Sequence, residues 1–190
     1  MLPFSEKQRV YFLKSGTIKL IKINGDGEEI LIDILQKGDL FGELSLGESA
    51  DNDSFFKVIS SEAIICTFFK ENLEDLMLKK PDFALNYIKF IGLNFKQIQN
   101  NYKNLLFKDA KTRLLLLFKM LIEKENSSEN SFLIPNYLTQ KDIAQLICTS
   151  RQTVISLLHE LEKEGIIIYS NKEISIPNSA LINKLTENVK

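Results

Sequence analysis

Two hydroxyl residues, Thr139 and Ser150, each open a short stretch of helical apolar periodicity, and together they restrict the C-terminal part of this chain to very few folds. Each hydroxyl can accept from the free backbone N–H groups of a first helical turn. Asp142 stands where its carboxylate can reach back to Thr139 and complete a capping box. Ile143, Ile147, Val154 and Leu157 fall where two such helices must meet, and Ala144 is small where they cross most closely. The pattern predicts two short helices joined by a tight turn. A step of about 100° per residue from Ser150 gathers Val154, Leu157, Leu158 and Leu161 on one face of the second helix. The opposite stripe is Gln152, Ser156, His159 and Lys163, with Arg151 at its N-terminal edge.

That stripe is polar and only partly charged, which suits reading base edges in a major groove. Arg can be bidentate to guanine and Gln to adenine, and Ile155 beside them can meet a thymine methyl. An ordinary solvated helix face has a similar composition; the surrounding two-helix pattern is what favours base reading. Gly165 then stops the helix, and residues 166–169, 170–172 and 173–176 read as strand, turn and strand. Two helices followed by a hairpin make a winged helix.

The 190 residues suffice for one domain or two small ones, and the apolar fraction is that of a protein with a real core. A net charge of −1 argues against a protein that coats nucleic acid without regard to sequence. Site-specific binding remains open, because phosphates can be met by a locally basic surface, by hydroxyls and by helix N-termini. Glu160, Glu162 and Glu164 cluster late in the second helix, so its N-terminal half is the end expected to face DNA. Cys66 and Cys148 lack partners at metal-ligand spacing, and both are expected to be buried, reduced thiols. His159 is the only histidine, so no multi-histidine metal site can form within one chain. No metal is expected. No membrane span is visible, and residues 1–7 lack a secretory signal, which makes the cytoplasm the expected location.

Ahead of the winged helix, strands are expected over 9–14, 17–23, 28–35, 55–60 and 63–69, with Asn24-Gly-Asp-Gly27 as a hairpin turn. Short strands at such spacing suggest a jelly-roll or barrel. A helix follows over 71–79, a second runs from Pro81 to about Phe107, and a leucine-dense third covers 109–123. In the second, Ala84, Ile88, Ile91, Phe95, Ile98, Tyr102 and Leu105 recur in alternating steps of four and three. A helix packed only on its own domain shows a broader face of period 3.6. This seam favours a parallel two-helix dimer contact, while Phe83, Tyr87, Phe90 and Leu106 are expected to face the β-domain.

The order β-roll, heptad helix and winged helix-turn-helix resembles the Crp-Fnr family of bacterial transcription regulators over nearly the whole chain. The resemblance rests on Lys37-Gly-Asp-Leu-Phe-Gly-Glu-Leu44, Phe107-Lys-Asp-Ala-Lys-Thr-Arg113, Thr139-Gln-Lys-Asp-Ile-Ala-Gln-Leu146 and Ser150-Arg-Gln-Thr-Val154. It implies an effector pocket at Gly42, Glu43, Leu44, Asp53 and Ser54. In cyclic-nucleotide-binding members the Glu takes the ribose hydroxyl and a later Arg-Ser pair takes the cyclic phosphate. Here that pair is Asp53-Ser54, so a carboxylate replaces the phosphate-binding guanidinium and attraction becomes repulsion. The family's polar nucleotide contacts on the long helix fall at Ile98 and Gln99, a second departure. Family members usually carry further residues before the strand at Arg9, so either the roll is pared down or the start lies further upstream.

The expectation is an α+β protein with three parts: a cyclic-nucleotide-binding-like β-roll sensor (1–80), a dimerisation helix (81–108) and a winged helix-turn-helix (109–190). It is expected to be a homodimeric, sequence-specific transcription regulator and not an enzyme. Arg151, Gln152 and Ser156 would read bases; Thr139, Gln140, Thr149 and Thr153 would contact phosphates. Its partners would be a two-fold symmetric double-stranded DNA site, its own second copy and, as a candidate, RNA polymerase, with no membrane. No cofactor is predicted, the effector is open, and cyclic AMP is disfavoured. Rival readings are a cyclic-nucleotide-responsive receptor and a winged-helix protein-interaction module.

Overall fold

The computed structural model describes residues 2–3, 9–42, 54–124, 132–170 and 172–177. It divides into two compact units, 1–100 and 101–190. In the first, seven strands precede two helices: β1 Leu2–Pro3, β2 Arg9–Ser15, β3 Ile18–Ile23, β4 Glu29–Leu35, β5 Leu40–Gly42, β6 Ser54–Val58 and β7 Ile64–Phe69, then α1 Lys70–Lys79 and α2 Pro81–Phe107. All pairings are antiparallel and form two sheets, of order β1-β6-β3-β4 and β5-β2-β7.

Alternation along β2 decides which side chains enter the core. Tyr11 and Leu13 point to one face and join Ile18, Leu35, Phe41 and Phe56, drawn from both sheets. Tyr11 stacks on Phe41 at 5.2 Å, and Phe56 from the other sheet meets each ring at 5.6 Å. This aromatic trio closes the roll. Val10, on the opposite face of β2, packs with Leu73 of α1 and Tyr87 of α2, flanked by Leu40, Phe68, Met77 and Phe83. The turn at 24–27 is held by Asn24 Oδ1, which accepts from the amides of Asp26 and Glu28 at 3.0 and 2.8 Å.

Gly42, at the end of β5, has φ 93°. A Cβ there would lie 2.6 Å from the Arg9 carbonyl oxygen and 2.7 Å from Tyr11 Cδ2. Only glycine fits this closing strand. The short strands β1 and β5 have no signal in the sequence pattern.

α2 is one unbroken helix. Phe83 and Tyr87 pack on the roll as expected, and Phe90 lies 6.4 Å from the Tyr87 ring. Leu106 lies beyond the first unit and is 59% exposed; at about 100° per residue it shares the azimuth of Ile88 on α2.

The second unit contains α3 Ala110–Lys124, β8 Phe132–Pro135, α4 Gln140–Leu146, α5 Arg151–Lys163, β9 Ile168–Tyr169 and β10 Glu173–Ile176. Its buried side chains include Leu114, Phe118, Ile143, Val154, Leu158, Leu161, Ile174 and Ile176. The wing is a three-stranded antiparallel sheet of order β8-β10-β9, in which Ile174 pairs with Ile134 on one side and Tyr169 on the other. β9 and β10 fall within the stretches that the sequence pattern predicts as strands, whereas β8 has no such signal.

Candidate nucleic-acid interface

The two-helix unit is assembled from its caps. Thr139 Oγ1 accepts from the Asp142 amide at 3.2 Å, and Asp142 Oδ2 accepts from the Thr139 amide at 2.7 Å, a complete capping box. α4 ends in a Schellman closure: the Thr149 amide donates to the Ala144 carbonyl and the Cys148 amide to that of Gln145. Cys148 stands at the left-handed position with φ 50°, where glycine is usual. Ser150 Oγ then accepts from the Thr153 amide at 3.0 Å and starts α5. The same closure ends α5, with Gly165 at φ 70° and the Ile166 amide donating to the Leu161 carbonyl. Ile143, Ala144 and Ile147 bury against Val154, Leu158 and Leu161. Leu157, expected on that buried face, is only partly covered, because the helix rotates it to the edge of the contact.

With the apolar stripe turned inward, Arg151, Gln152, Ser156, His159 and Lys163 are all exposed on α5, and Ile155 is half-exposed beside them. The structure thus leaves the three candidate base readers exposed in the N-terminal half of the helix, Gln152 and Ser156 opposite the apolar stripe and Arg151 at the edge of that face. The Ser156 hydroxyl donates to the Gln152 carbonyl at 3.2 Å. Thr139 is exposed, while Gln140, Thr149 and Thr153 are half-exposed around the helix starts. Thr139 Oγ1 gives its proton to Asp142 Oδ2 at 2.7 Å, so any phosphate contact from this hydroxyl competes with the cap. Thr153 Oγ1 lies 2.8 Å from Ser150 Oγ.

Arg113 and Lys111 support this unit through partners far along the chain, which no local sequence pattern signals, and Glu162 does so through Tyr169, seven residues on. Arg113 of α3 donates from Nε to the Ile147 carbonyl at 2.9 Å, from Nη1 to that of Lys108 at 2.6 Å and from Nη2 to that of Cys148 at 3.4 Å. Lys111 Nζ bridges Glu160 at 2.7 Å and Glu164 at 2.8 Å. Glu162 Oε1 accepts the Tyr169 amide. Just before α3, Asp109 Oδ1 accepts the Thr112 amide at 2.7 Å. That bond and one from the Thr112 side chain hold the Asp109 carboxyl below its usual range against the opposing effect of burial, and the charges of Arg113 and Lys111 add to them. For Lys111, burial pulls its pKa down, but the hydrogen bonds and charges of Glu160 and Glu164 outweigh it, and the net shift is upward.

The expected burial of both cysteines is corrected: Cys66 and Cys148 are exposed free thiols. Cys66 lies on an edge strand, and the left-handed turn carries Cys148 outward. Of the candidate effector residues, Gly42 ends β5 and Ser54 opens β6 opposite Lys22. Glu43, Leu44 and Asp53 lie outside the described residues. Ile98 and Gln99 are exposed on α2. Along the seam, Ile88, Phe95, Ile98 and Tyr102 are 59–65% exposed in the single chain, and Ile91 and Leu105 are 36–38% exposed. Among the described residues no cluster of metal-binding side chains occurs, and no helix is long and apolar enough to cross a membrane.

Residues 5–80 match the family described as Cyclic nucleotide-binding domain, and residues 112–185 the family described as Crp-like helix-turn-helix domain. The chain is 27% identical over 172 residues to the CRP-like cAMP-activated global transcriptional regulator of Mycobacterium tuberculosis, covering 90% of this chain and 76% of that protein. It is 26% identical over 184 residues to the global nitrogen regulator of Synechocystis sp., covering 96% and 82%. Among solved structures, FixK2 from Bradyrhizobium japonicum superposes with a TM-score of 0.79 at 17% identity, over 97% of this chain and 92% of that one. That last likeness is one of fold.

Proposed function

Because this chain belongs to the Crp-Fnr family of transcription regulators, we propose that it is a homodimer that binds a two-fold symmetric DNA site through paired α5 helices. As in its relatives, the role is regulation of transcription through a DNA-binding helix-turn-helix, not catalysis. The observation that carries the reading is the open side of α5, where Gln152 and Ser156, with Arg151 at their edge, are exposed on a helix started by the Ser150 cap. Arg151 reads guanine and Gln152 adenine, with Ser156 completing the base contacts. Gln140, Thr149 and Thr153 contact phosphates from the helix starts, and Thr139 does so at the expense of its cap.

Three further assignments belong to this proposal. The α2 seam forms the dimer contact, since an apolar row left open to water along a helix is stabilised by a second such row. Residues 1–80 serve as the sensor, 81–108 as the dimer helix and 109–190 as the DNA-binding part. The effector pocket is degenerate, because Asp53 stands where a cyclic phosphate needs a guanidinium. The protein acts in the cytoplasm, with RNA polymerase as a partner of the bound dimer.

A second reading, a cyclic-nucleotide receptor, is favoured by the match over residues 5–80 and by the name of the mycobacterial relative. Selection of sites from random DNA with the purified protein tests the main reading: recovery of a palindromic consensus supports it, and recovery of no preferred sequence refutes it. A shallow dependence of the affinity on salt would assign the wing to protein binding instead.

A further inference from the structure

The first turn of α3 reaches both ends of α5. At the C-terminal end, Lys111 Nζ lies 2.7 Å from Glu160 Oε1 and 2.8 and 2.9 Å from the two carboxylate oxygens of Glu164. At the N-terminal end, Arg113 donates to the carbonyls of Ile147 and Cys148, the turn just before the Ser150 cap. Its remaining nitrogen donates to the Lys108 carbonyl, at the junction of α2 and α3. The turn it grips holds a non-glycine residue in the left-handed region, Cys148 at φ 50°, which sterics disfavour for any side chain with a Cβ. A fixed guanidinium fork facing the carbonyls of the C-cap Ile147 and of Cys148 itself offsets that cost, because the Ile147 carbonyl lies at the negative end of α4, where carbonyls lack intrahelical donors. α3 is a firm base for such a grip, with Leu114, Leu115, Leu117 and Phe118 buried immediately beyond Arg113.

We propose that Arg113 and Lys111 are positioning residues that mount the reading helix α5 at both ends on the first turn of α3, Arg113 by holding the left-handed turn at Cys148 and Lys111 by gripping Glu160 and Glu164. The inference rests on the assignment of α5 as the DNA-reading helix. Both residues act through α5 and not on a base. Arg113 is separable from an ordinary phosphate contact because lysine can replace arginine as a point charge on a phosphate but cannot span three carbonyls with a planar fork.

The test uses the full-length chain, its selected DNA site and amide hydrogen exchange. Arg113→Lys is expected to weaken specific binding by about tenfold or more while leaving the slope of affinity against salt unchanged, and to speed exchange at the Cys148 and Thr149 amides. Adding Cys148→Gly should restore most of the affinity and the protection, since glycine adopts this φ without strain. Lys111→Gln, the milder arm, should speed exchange at Glu164 and Gly165 and weaken binding about threefold, as loss of a half-exposed ion pair implies. Full affinity and unchanged exchange in Arg113→Lys would overturn the proposal, as would a loss that Cys148→Gly fails to restore. If the unsubstituted chain binds no DNA, the reading of α5 fails by itself, and the exchange pattern with its glycine rescue still decides whether the mount exists.

Discussion

The Glu162 carboxylate accepts the backbone N–H of Tyr169 at 3.0 Å and so ties the last turn of α5 to strand β9 of the wing. With Glu160 and Glu164 on Lys111, the late acidic run of α5 has internal partners throughout. Removing the Glu162 carboxylate leaves a strand amide without its charged acceptor. Glu162→Ala is expected to cost roughly 1–2 kcal/mol in urea unfolding and to speed exchange at Tyr169. Unchanged exchange there would show that the wing is held by its strands alone.

Charges at Ile91 and Ile98 should break the seam. The double variant Ile91→Glu, Ile98→Glu places carboxylates of both chains opposite one another in an apolar row, and sedimentation is expected to find a monomer that binds DNA poorly. An undisturbed dimer would mean that another surface joins the copies.

Cyclic AMP and cyclic GMP should give no measurable heat on titration into the protein at micromolar concentrations. A dissociation constant near 1 μM, about −8 kcal/mol, would require a phosphate ligand other than Asp53.

Base and phosphate contacts should separate by their effect on sequence preference. Arg151→Ala is expected to cost about 1–3 kcal/mol and to relax the preference at one base pair in each half-site. Half-site centres should lie roughly 34 Å apart. Thr153→Ala should weaken all sequences about equally, as a phosphate contact carries no base information. If Arg151→Ala leaves the selected consensus unaltered, another face of the unit meets the bases.

Stability should fall at both ends of the pH range for different residues. The folded pKa of Asp109 is lowered, so its contribution is present above the ordinary carboxyl value of 3.8 and is lost as pH falls through the folded value. The folded pKa of Lys111 is raised, so its contribution is present below 10.5 and is lost as pH rises through the folded value. Both are complete at neutrality. Asp109→Asn keeps the acceptor for the Thr112 amide and should flatten the acid limb of a urea-midpoint profile. Lys111→Met should flatten the alkaline limb. An acid limb identical in Asp109→Asn would place the titrating group elsewhere.

Local chemistry was legible in the chain, and distant pairing was not. Thr139, Asp142, Ser150 and Gly165 declare themselves because a cap needs only neighbours, and the structure finds each in its expected place. Phe132–Pro135 is a strand only because β10 lies beside it much later in the sequence, and its proline reads as a breaker until the strand proves to be an edge. The exposed stripe with Gln152 and Ser156, flanked by Arg151, follows from helical periodicity, whereas nothing near Arg113 signals that its fork ends on the carbonyls of Ile147 and Cys148. The cysteines were misread for a related reason: average burial preferences do not register that one thiol lies on an edge strand and the other on an everted turn.

Gly42 bears on how such chains are sorted by what they sense. Its φ of 93° and the crowding of Arg9 and Tyr11 against any Cβ come from closing β5 onto β2. A roll of this shape therefore keeps the glycine whether or not a nucleotide ever enters it. The opening letter of the Gly42-Glu43-Leu44 run is then a demand of the architecture and by itself no mark of a bound nucleotide. On the function proposed above, what separates a nucleotide receptor from a roll without one lies at the positions beyond it, of which Asp53 is one.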